Sequence, residues 1–175
     1  QADCDGVSNV TLRDLIRTSL RMRPDRIIVG EVRGEEALDM IQSMNTGHDG
    51  SLSTGHANSP QDMLSRLETM ALFASDIPIQ AIRKQIASSI DIIVQLERLR
   101  DRSRRVTAIA EVLDCTEDAY ILNPIFEFHE QDNLVMESSS YGDIPERVVG
   151  QLERTGYHLM HRRKLHAAAL ESAEI

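Results

Sequence analysis

The chain has 175 residues, enough for one domain or for one domain with a small appendage. Hydrophobic residues make up 41% and charged residues 27%, which are ordinary values for a globular protein. The net charge of -9 and the aromatic content of 3%, with no Trp, argue against nucleic-acid binding, which uses phosphate neutralisation and base stacking. Two cysteines are too few for a disulfide framework, and no apolar run approaches the ~20 residues of a membrane span.

Helix and strand patterns alternate along the first half of the chain, and a cluster of strands follows. Thr11 with Asp14 three residues later is the capping-box pattern that begins a helix. Ser59 and Pro60 begin another, with Ser as N-cap and Pro in the first turn. Pro124 interrupts a strand pattern and predicts a sheet edge or a bulge. The expected elements are helix 11–23, strand 26–30, helix 34–47, a short strand at Leu52, helices 59–73 and 78–89, strands 91–97, 106–113 and 120–128, and helices 144–154 and 158–172.

This order of elements indicates the fold class. Strands separated by helices predict an α/β fold with a parallel sheet flanked by helices, and the later strands predict an antiparallel addition. The β-branched run at 26–30 predicts a strand that is buried on both faces. We expect one domain over residues 1–128, and a helical C-terminal appendage over residues 129–175.

Glu31 is the first candidate for chemistry, because it follows directly after the apolar strand. In open parallel sheets, ligands bind beyond the carboxyl ends of the strands. A carboxylate at that place can hold a metal or orient a water in phosphoryl transfer. The alternative is a charged residue that leaves the strand into solvent.

Two Thr-Gly-His triplets, eight residues apart, form the second candidate. Thr46 and His48 belong to the first triplet, and Thr54 and His56 to the second. Hydroxyls, imidazoles and glycine-exposed amides gathered at strand ends suit an anionic group. A zinc site through these histidines is less well supported, because their spacing is not helical and no third ligand is evident.

Arginines recur in two places. Arg13, Arg17 and Arg21 share one helix face, which is either solvated or meets phosphates or a neighbouring subunit's carboxylates. Five arginines lie between Arg98 and Arg105, where a hairpin tip is expected to be solvated or to dock a partner.

The segments 20–34, 46–48 and 53–59 together resemble the type II/IV secretion-system ATPases, and more closely the CpaF-like ATPases of Tad/Flp pilus assembly. The resemblance covers residues 9–128 well and 129–160 loosely. It rests on a Walker B segment and a histidine box, in the right order and at the right separation.

The resemblance implies a RecA-like domain in a homo-oligomeric ring, usually a hexamer, that binds ATP and Mg²⁺ between subunits. It also implies a cytoplasmic ATPase that is peripheral to the inner membrane and has no transmembrane segment. Its implied binding partner is a secretion or pilus platform protein of the inner membrane. Glu31 matches the Walker B glutamate, and Gly30 takes the place of the common Mg²⁺-holding Asp. His48, His56, Thr46 and Thr54 match the histidine box that senses the terminal phosphate. Arg21 and Arg33 match basic positions that contact phosphate or a neighbouring subunit.

One part of the family pattern is missing. No Gly-x-x-x-x-Gly-Lys-Ser/Thr motif occurs in the 175 residues, and the acidic box is absent too. We therefore expect a C-terminal fragment that lacks the P-loop, binds ATP negligibly and is inactive by itself, with Glu31 and both histidines converging on a nucleotide's terminal phosphate. Two alternatives stay open: a non-catalytic assembly module of a secretion apparatus, and a metal-dependent hydrolase that uses His48, Asp49 and His56.

Overall fold

The structure is a computed structural model that describes residues 10–131 and 147–162. The chain divides into two compact units, residues 1–58 with 62–90 and residues 59–61 with 91–175. The elements are α1 (Leu12–Arg21), β1 (Ile28–Val29), α2 (Glu36–Met44), β2 (Leu52–Ser53), α3 (Pro60–Ala74), α4 (Ile79–Ser89), β3 (Ile92–Arg98), β4 (Arg104–Cys115), β5 (Tyr120–Glu130) and β6 (Gly150–Arg154). The α/β class expected from the sequence is therefore confirmed, with a parallel strand pair and a separate antiparallel sheet.

Helix ends in the first unit lie close to where local sequence chemistry places them. The Thr11 hydroxyl accepts a hydrogen bond from the Asp14 amide, and the Asp14 carboxylate accepts one from the Thr11 amide, so the predicted capping box is confirmed. Gly47 has a φ of +94°, which allows the chain to turn after α2. The buried apolar side chains of this unit are Ile16, Ile27, Val29, Val32, Ala37, Leu38, Met40, Ile41, Leu64, Leu67, Met70, Ala71, Ile82 and Ile86.

The parallel pair β1–β2 is buried on one face only. Ile28 pairs with Leu52 and Val29 pairs with Ser53. Val29 is buried, whereas Ile28 is 74% exposed and Leu52 is 62% exposed. The expectation of a strand buried on both faces is thus wrong for the chain described here. Successive side chains of a strand point to opposite faces, and the face that carries Ile28 and Leu52 is left uncovered.

The second unit is a four-stranded antiparallel sheet in the order β3-β4-β5-β6. Ile109 pairs with Phe126 and the next residue, Ala110, pairs with Pro124, so Ile125 is the extra residue of a bulge. The bulge alternative for Pro124 is therefore the correct one, because β5 lies inside the sheet. The buried apolar side chains of this unit are Ala110, Val112, Tyr120, Ile125 and Val148.

The C-terminal helices are the part of the sequence prediction that fails. Residues 150–154, expected within helix 144–154, form strand β6 and pair with β5. Residues 158–162 are not helical, and the remaining residues of that expected helix lie outside the described residues. The expected boundary at 128 falls inside β5. Among the described residues, no helix is both long and apolar enough to cross a membrane.

Candidate functional site

The parallel pairing of β1 and β2 places the segments that follow the two strands side by side, at the carboxyl ends of the strands. Glu31 comes two residues after β1, and Thr54 comes directly after β2. The Val32 amide donates to the Thr54 carbonyl at 3.0 Å, and the Thr54 hydroxyl donates to the Gly30 carbonyl at 2.6 Å. These two bonds extend the contact beyond the strands and fix the Gly30–Glu31 backbone against the second Thr-Gly-His triplet.

Glu31 is the centre of a small charged cluster at this edge. Its Oε2 lies 2.5 Å from Nη2 of Arg33, and its Oε1 lies 2.9 Å from Nε2 of His56. The Arg33 guanidinium lowers the pKa of the Glu31 carboxyl, the charges of His56 and Arg66 add to this, and partial burial opposes it. The same ion pair raises the pKa of Arg33. Glu31 is therefore ionised at neutral pH and is a weak base.

One oxygen of Glu31 is open to a further donor. Oε1 is buried, and no donor among the described residues makes a hydrogen bond to it. His56 Nε2 lies within ion-pair distance of Oε1, but the contact does not have hydrogen-bond geometry. A buried acceptor without a donor is costly, and a water molecule or ligand hydroxyl would satisfy it.

Helix α3 positions His56 through two contacts. Arg66 donates from Nη1 to the His56 carbonyl at 3.0 Å. Gly55 lies so close to Met63 that a Cβ at this position would stand 2.5 Å from the Met63 Cε atom. Sequence reasoning missed Arg66, since its position in the middle of a helix has no local pattern that points to the loop before that helix.

His48 and Thr46 do not join this cluster. Both precede β2, at the amino end of the strand, whereas His56 follows its carboxyl end. The His48 Nδ1 atom lies 3.1 Å from the Ser43 carbonyl, and the Thr46 hydroxyl donates to the same carbonyl at 2.9 Å. The expected convergence of Glu31 with both histidines is therefore corrected. Strand β2 lies between the two Thr-Gly-His triplets, so the first triplet precedes the amino end of the strand and the second follows its carboxyl end.

The arginines of α1 bind within their own unit. Arg13 and Arg17 both donate to the buried carboxylate of Asp39 on α2, with N–O distances of 2.5 and 2.9 Å. Arg21 is exposed at the end of α1. The face expected either to be solvated or to meet phosphates or a neighbouring subunit thus uses two of its three arginines to join α1 to α2.

No three His, Cys, Asp or Glu side chains are gathered as metal ligands in residues 10–131 and 147–162. The set considered from the sequence, His48, Asp49 and His56, is accordingly not assembled in the structure.

Comparison with known proteins shows which family the chain resembles over most of its length. The family profile described as "Type II/IV secretion system protein" matches residues 1–140. A Mycobacterium tuberculosis protein named for conjugal transfer is 40% identical over 110 residues, which cover 63% of this chain and 31% of that protein. The type IV secretion system protein PtlH of Bordetella pertussis is 38% identical over 99 residues, covering 55% of this chain and 29% of its own length. The chain thus spans about a third of the length of the curated relatives that it matches.

A solved structure agrees with these relatives. The VirB11 ATPase from the Brucella suis type IV secretion system, in complex with sulphate, is similar to this chain with a TM-score of 0.55 and 33% identity. The similarity covers 58% of this chain and 32% of that one.

Proposed function

This chain belongs to the Type II/IV secretion system protein family, and on that premise we propose that it is part of an ATPase that powers pilus assembly or protein secretion at the bacterial inner membrane. Within the family we propose the CpaF-like subgroup of Tad/Flp pilus assembly, a RecA-like domain and a hexameric ring. The observation that carries the catalytic role is Glu31, an ionised carboxylate with an open oxygen, at the carboxyl edge of two parallel strands.

The residues at this edge fit one wall of a nucleotide site. The open Oε1 of Glu31 has the acceptor capacity to hold a water by its hydrogen. Arg33 offers N–H donors and positive charge to phosphate oxygens, and His56 offers a ring nitrogen. The Thr54 hydroxyl fixes the turn that carries them. When bound, ATP with Mg²⁺ supplies the phosphoryl group and its leaving group.

The lowered pKa of Glu31 defines what its carboxylate does. A weak base accepts a hydrogen bond but has little driving force to remove a proton completely. We therefore assign Glu31 the orientation of the attacking water, with Arg33 holding the carboxylate in place. His48 and Thr46 lie at the other edge of the strand pair, and we assign them no phosphate contact within the same subunit.

The rest of the phosphate site lies outside this sequence in our proposal. The 175 residues contain no Gly-x-x-x-x-Gly-Lys-Ser/Thr motif. Such a loop supplies backbone amides and a Lys to the phosphates, and a hydroxyl to Mg²⁺. The contacts that give nucleotide affinity are thus assigned to other parts of the whole protein.

The test is Glu31→Gln in the whole protein. Glutamine keeps the shape of the side chain but removes the charge, so turnover of ATP should fall by about 100-fold or more while nucleotide binding is retained. Glu35→Gln is the matched control, because Glu35 is an exposed carboxylate of the same unit that pairs with Arg13.

Unchanged turnover in Glu31→Gln would remove this residue from the mechanism. Absence of ATP binding in the unmodified whole protein would favour the alternative of a non-catalytic assembly module.

A further inference from the structure

The sheet of the second unit carries opposite charges at its two ends. At one end, Arg98 closes β3, Arg104 opens β4, and Arg100 and Arg102 lie in the turn between them, all four exposed. At the other end, exposed Asp114 lies near the end of β4, exposed Glu117 and Asp118 lie in the turn to β5, and Asp91 precedes β3. Strand β4 joins the two ends and has 12 residues, which corresponds to a separation of about 36 Å at ~3.3 Å per residue.

Part of the basic end is neutralised within the unit. Arg100 pairs with the Glu130 carboxylate through both of its terminal nitrogens. Arg105 donates to the Val148 carbonyl, and its guanidinium carbon lies 5.7 Å from the centroid of the Phe128 ring.

The other three arginines, Arg98, Arg102 and Arg104, have no carboxylate partner within residues 10–131 and 147–162. Arg98 and Arg104 face each other across the hairpin, an arrangement that places like charges on directly opposed residues. Their repulsion weakens the hairpin, and an anionic surface that covers the tip would relieve it.

The basic tip is also held in one conformation. The Asp101 carboxylate accepts hydrogen bonds from the amide and hydroxyl of Ser103 and from the Val148 amide. Arg102 takes a φ of 66°, the left-handed conformation that closes the turn. An ordered tip loses less conformational entropy when it binds a partner than a flexible loop does.

We propose that the basic end of this sheet, defined by Arg98, Arg102 and Arg104, docks on the acidic end, defined by Asp114 and Asp118, of a second copy of the chain. Guanidinium groups bind carboxylates in a bidentate geometry, and the complementary carboxylates are present on the same unit. Because the two surfaces lie at opposite ends of one sheet, the contact is head-to-tail and repeats from copy to copy. Nucleic acid is the poorer partner, since the chain has a net charge of -9.

The test uses sedimentation velocity of the 175-residue chain at low and high salt. Association is expected at low salt, and it should weaken as salt screens the contact. The variant Arg98→Glu with Arg104→Glu reverses the sign of the tip but keeps two like charges opposed across the hairpin. The hairpin should therefore keep its stability, and association should weaken by about tenfold or more. Asp114→Arg with Asp118→Arg should weaken association to a similar degree.

The combination of all four substitutions tests whether the basic end binds the acidic end of a second copy or a different anionic surface. The contacts between positions 98 and 104 of one copy and positions 114 and 118 of the next then again join opposite charges, while Arg102 is unchanged, so association should recover for the most part toward that of the unmodified chain. Lys84→Glu with Asp76→Arg, two exposed positions of the first unit, is the matched control and should change nothing. Failure of the fourfold variant to recover would overturn the proposal. So would binding of the unmodified chain to vesicles of anionic phospholipid without self-association, since the acidic end has no part in that binding.

Discussion

Each unit of this chain contains a glutamate whose pKa is lowered, but the two carboxylates have opposite surroundings. Glu111 in β4 is 1% exposed. It accepts hydrogen bonds from Asn123 Nδ2 at 2.9 Å and from the amides of Met160 and His161 at 2.9 and 2.7 Å. Glu31 lies at a sheet edge, and one of its oxygens accepts no hydrogen bond within the described residues.

This difference in hydrogen bonding distinguishes a carboxylate that holds the fold together from one that is available for catalysis. Every oxygen of Glu111 is occupied, so it can bind nothing further, and it ties residues 158–162 to the sheet together with the Asn123 bond to the His158 carbonyl. Glu31 is held by exposed partners and keeps acceptor capacity. A lowered pKa is common to both, and it therefore does not identify a reactive group by itself.

The largest expected effect is the loss of stability in Glu111→Gln. The glutamine amide can place an N–H against the amides of Met160 and His161, where the carboxylate had only acceptors. The free energy of unfolding of the second unit should fall by about 3 kcal/mol. Urea denaturation followed by tyrosine emission measures it, because the three tyrosines, Tyr120, Tyr141 and Tyr157, all lie after residue 90. Glu127→Gln, an exposed position on β5, is the matched control.

Acid titration provides a second check on Glu111. Burial raises the pKa of this carboxyl, but the Met160 amide, the Asn123 side chain and the His161 amide together outweigh burial and lower it. The unfolded chain then binds more protons than the folded one, so the contribution to stability is present above the ordinary pKa of 4.5 and is lost as the pH falls through the folded value. Glu111→Gln should lack this part of the acid transition, and an unchanged acid transition would contradict the anchoring role.

A smaller effect is expected in the first unit, which has a satisfied carboxylate of its own. Glu68 on α3 accepts two hydrogen bonds from Arg83 on α4, each of 2.9 Å, and both side chains are largely buried. Arg83→Met leaves Glu68 buried without this partner and should lower the free energy of unfolding by about 2 kcal/mol. Helical ellipticity measures it, because the described helices lie between residues 12 and 89.

The paired variant tests the cause. Glu68→Leu combined with Arg83→Met replaces the ion pair by apolar groups and should recover most of the loss. If the paired variant is as unstable as Arg83→Met alone, packing of the arginine stem and not the buried charge explains the result.

The sequence predicts those parts of the fold that depend on neighbours in the chain. The capping box at Thr11 and the bulge at Pro124 need only a few adjacent residues, and both are present. Strand β6 could not be predicted, because residues 150–154 become a strand through hydrogen bonds to β5, twenty residues earlier or more. The exposure of Ile28 also escaped prediction, since an apolar run does not reveal which of its faces is covered.

In the candidate site, too, the sequence predicts the features that depend on nearby residues and misses those that depend on distant contacts. The rule that ligands bind at the carboxyl ends of parallel strands predicts Glu31, and parallel pairing with β2 brings His56 to it. The repeat of Thr-Gly-His makes His48 look equivalent to His56, but direction along the strand separates them. Arg66 reaches the site only through the packing of α3, which no local pattern encodes.

The smallest expected effect on stability is that of Glu31→Gln in the 175-residue chain. The partners of this carboxylate are exposed, Arg33 at 73% and His56 at 78%, and ion pairs in such surroundings contribute little. The urea midpoint should stay at that of the unmodified chain, in helical ellipticity as well as in tyrosine emission. A loss comparable to that of Glu111→Gln would show that both carboxylates are structural and would end the contrast between them. An unchanged midpoint, together with lost turnover and retained nucleotide binding in the whole protein, would assign Glu31 to the chemical step, because loss of the fold and loss of binding are then both excluded as causes.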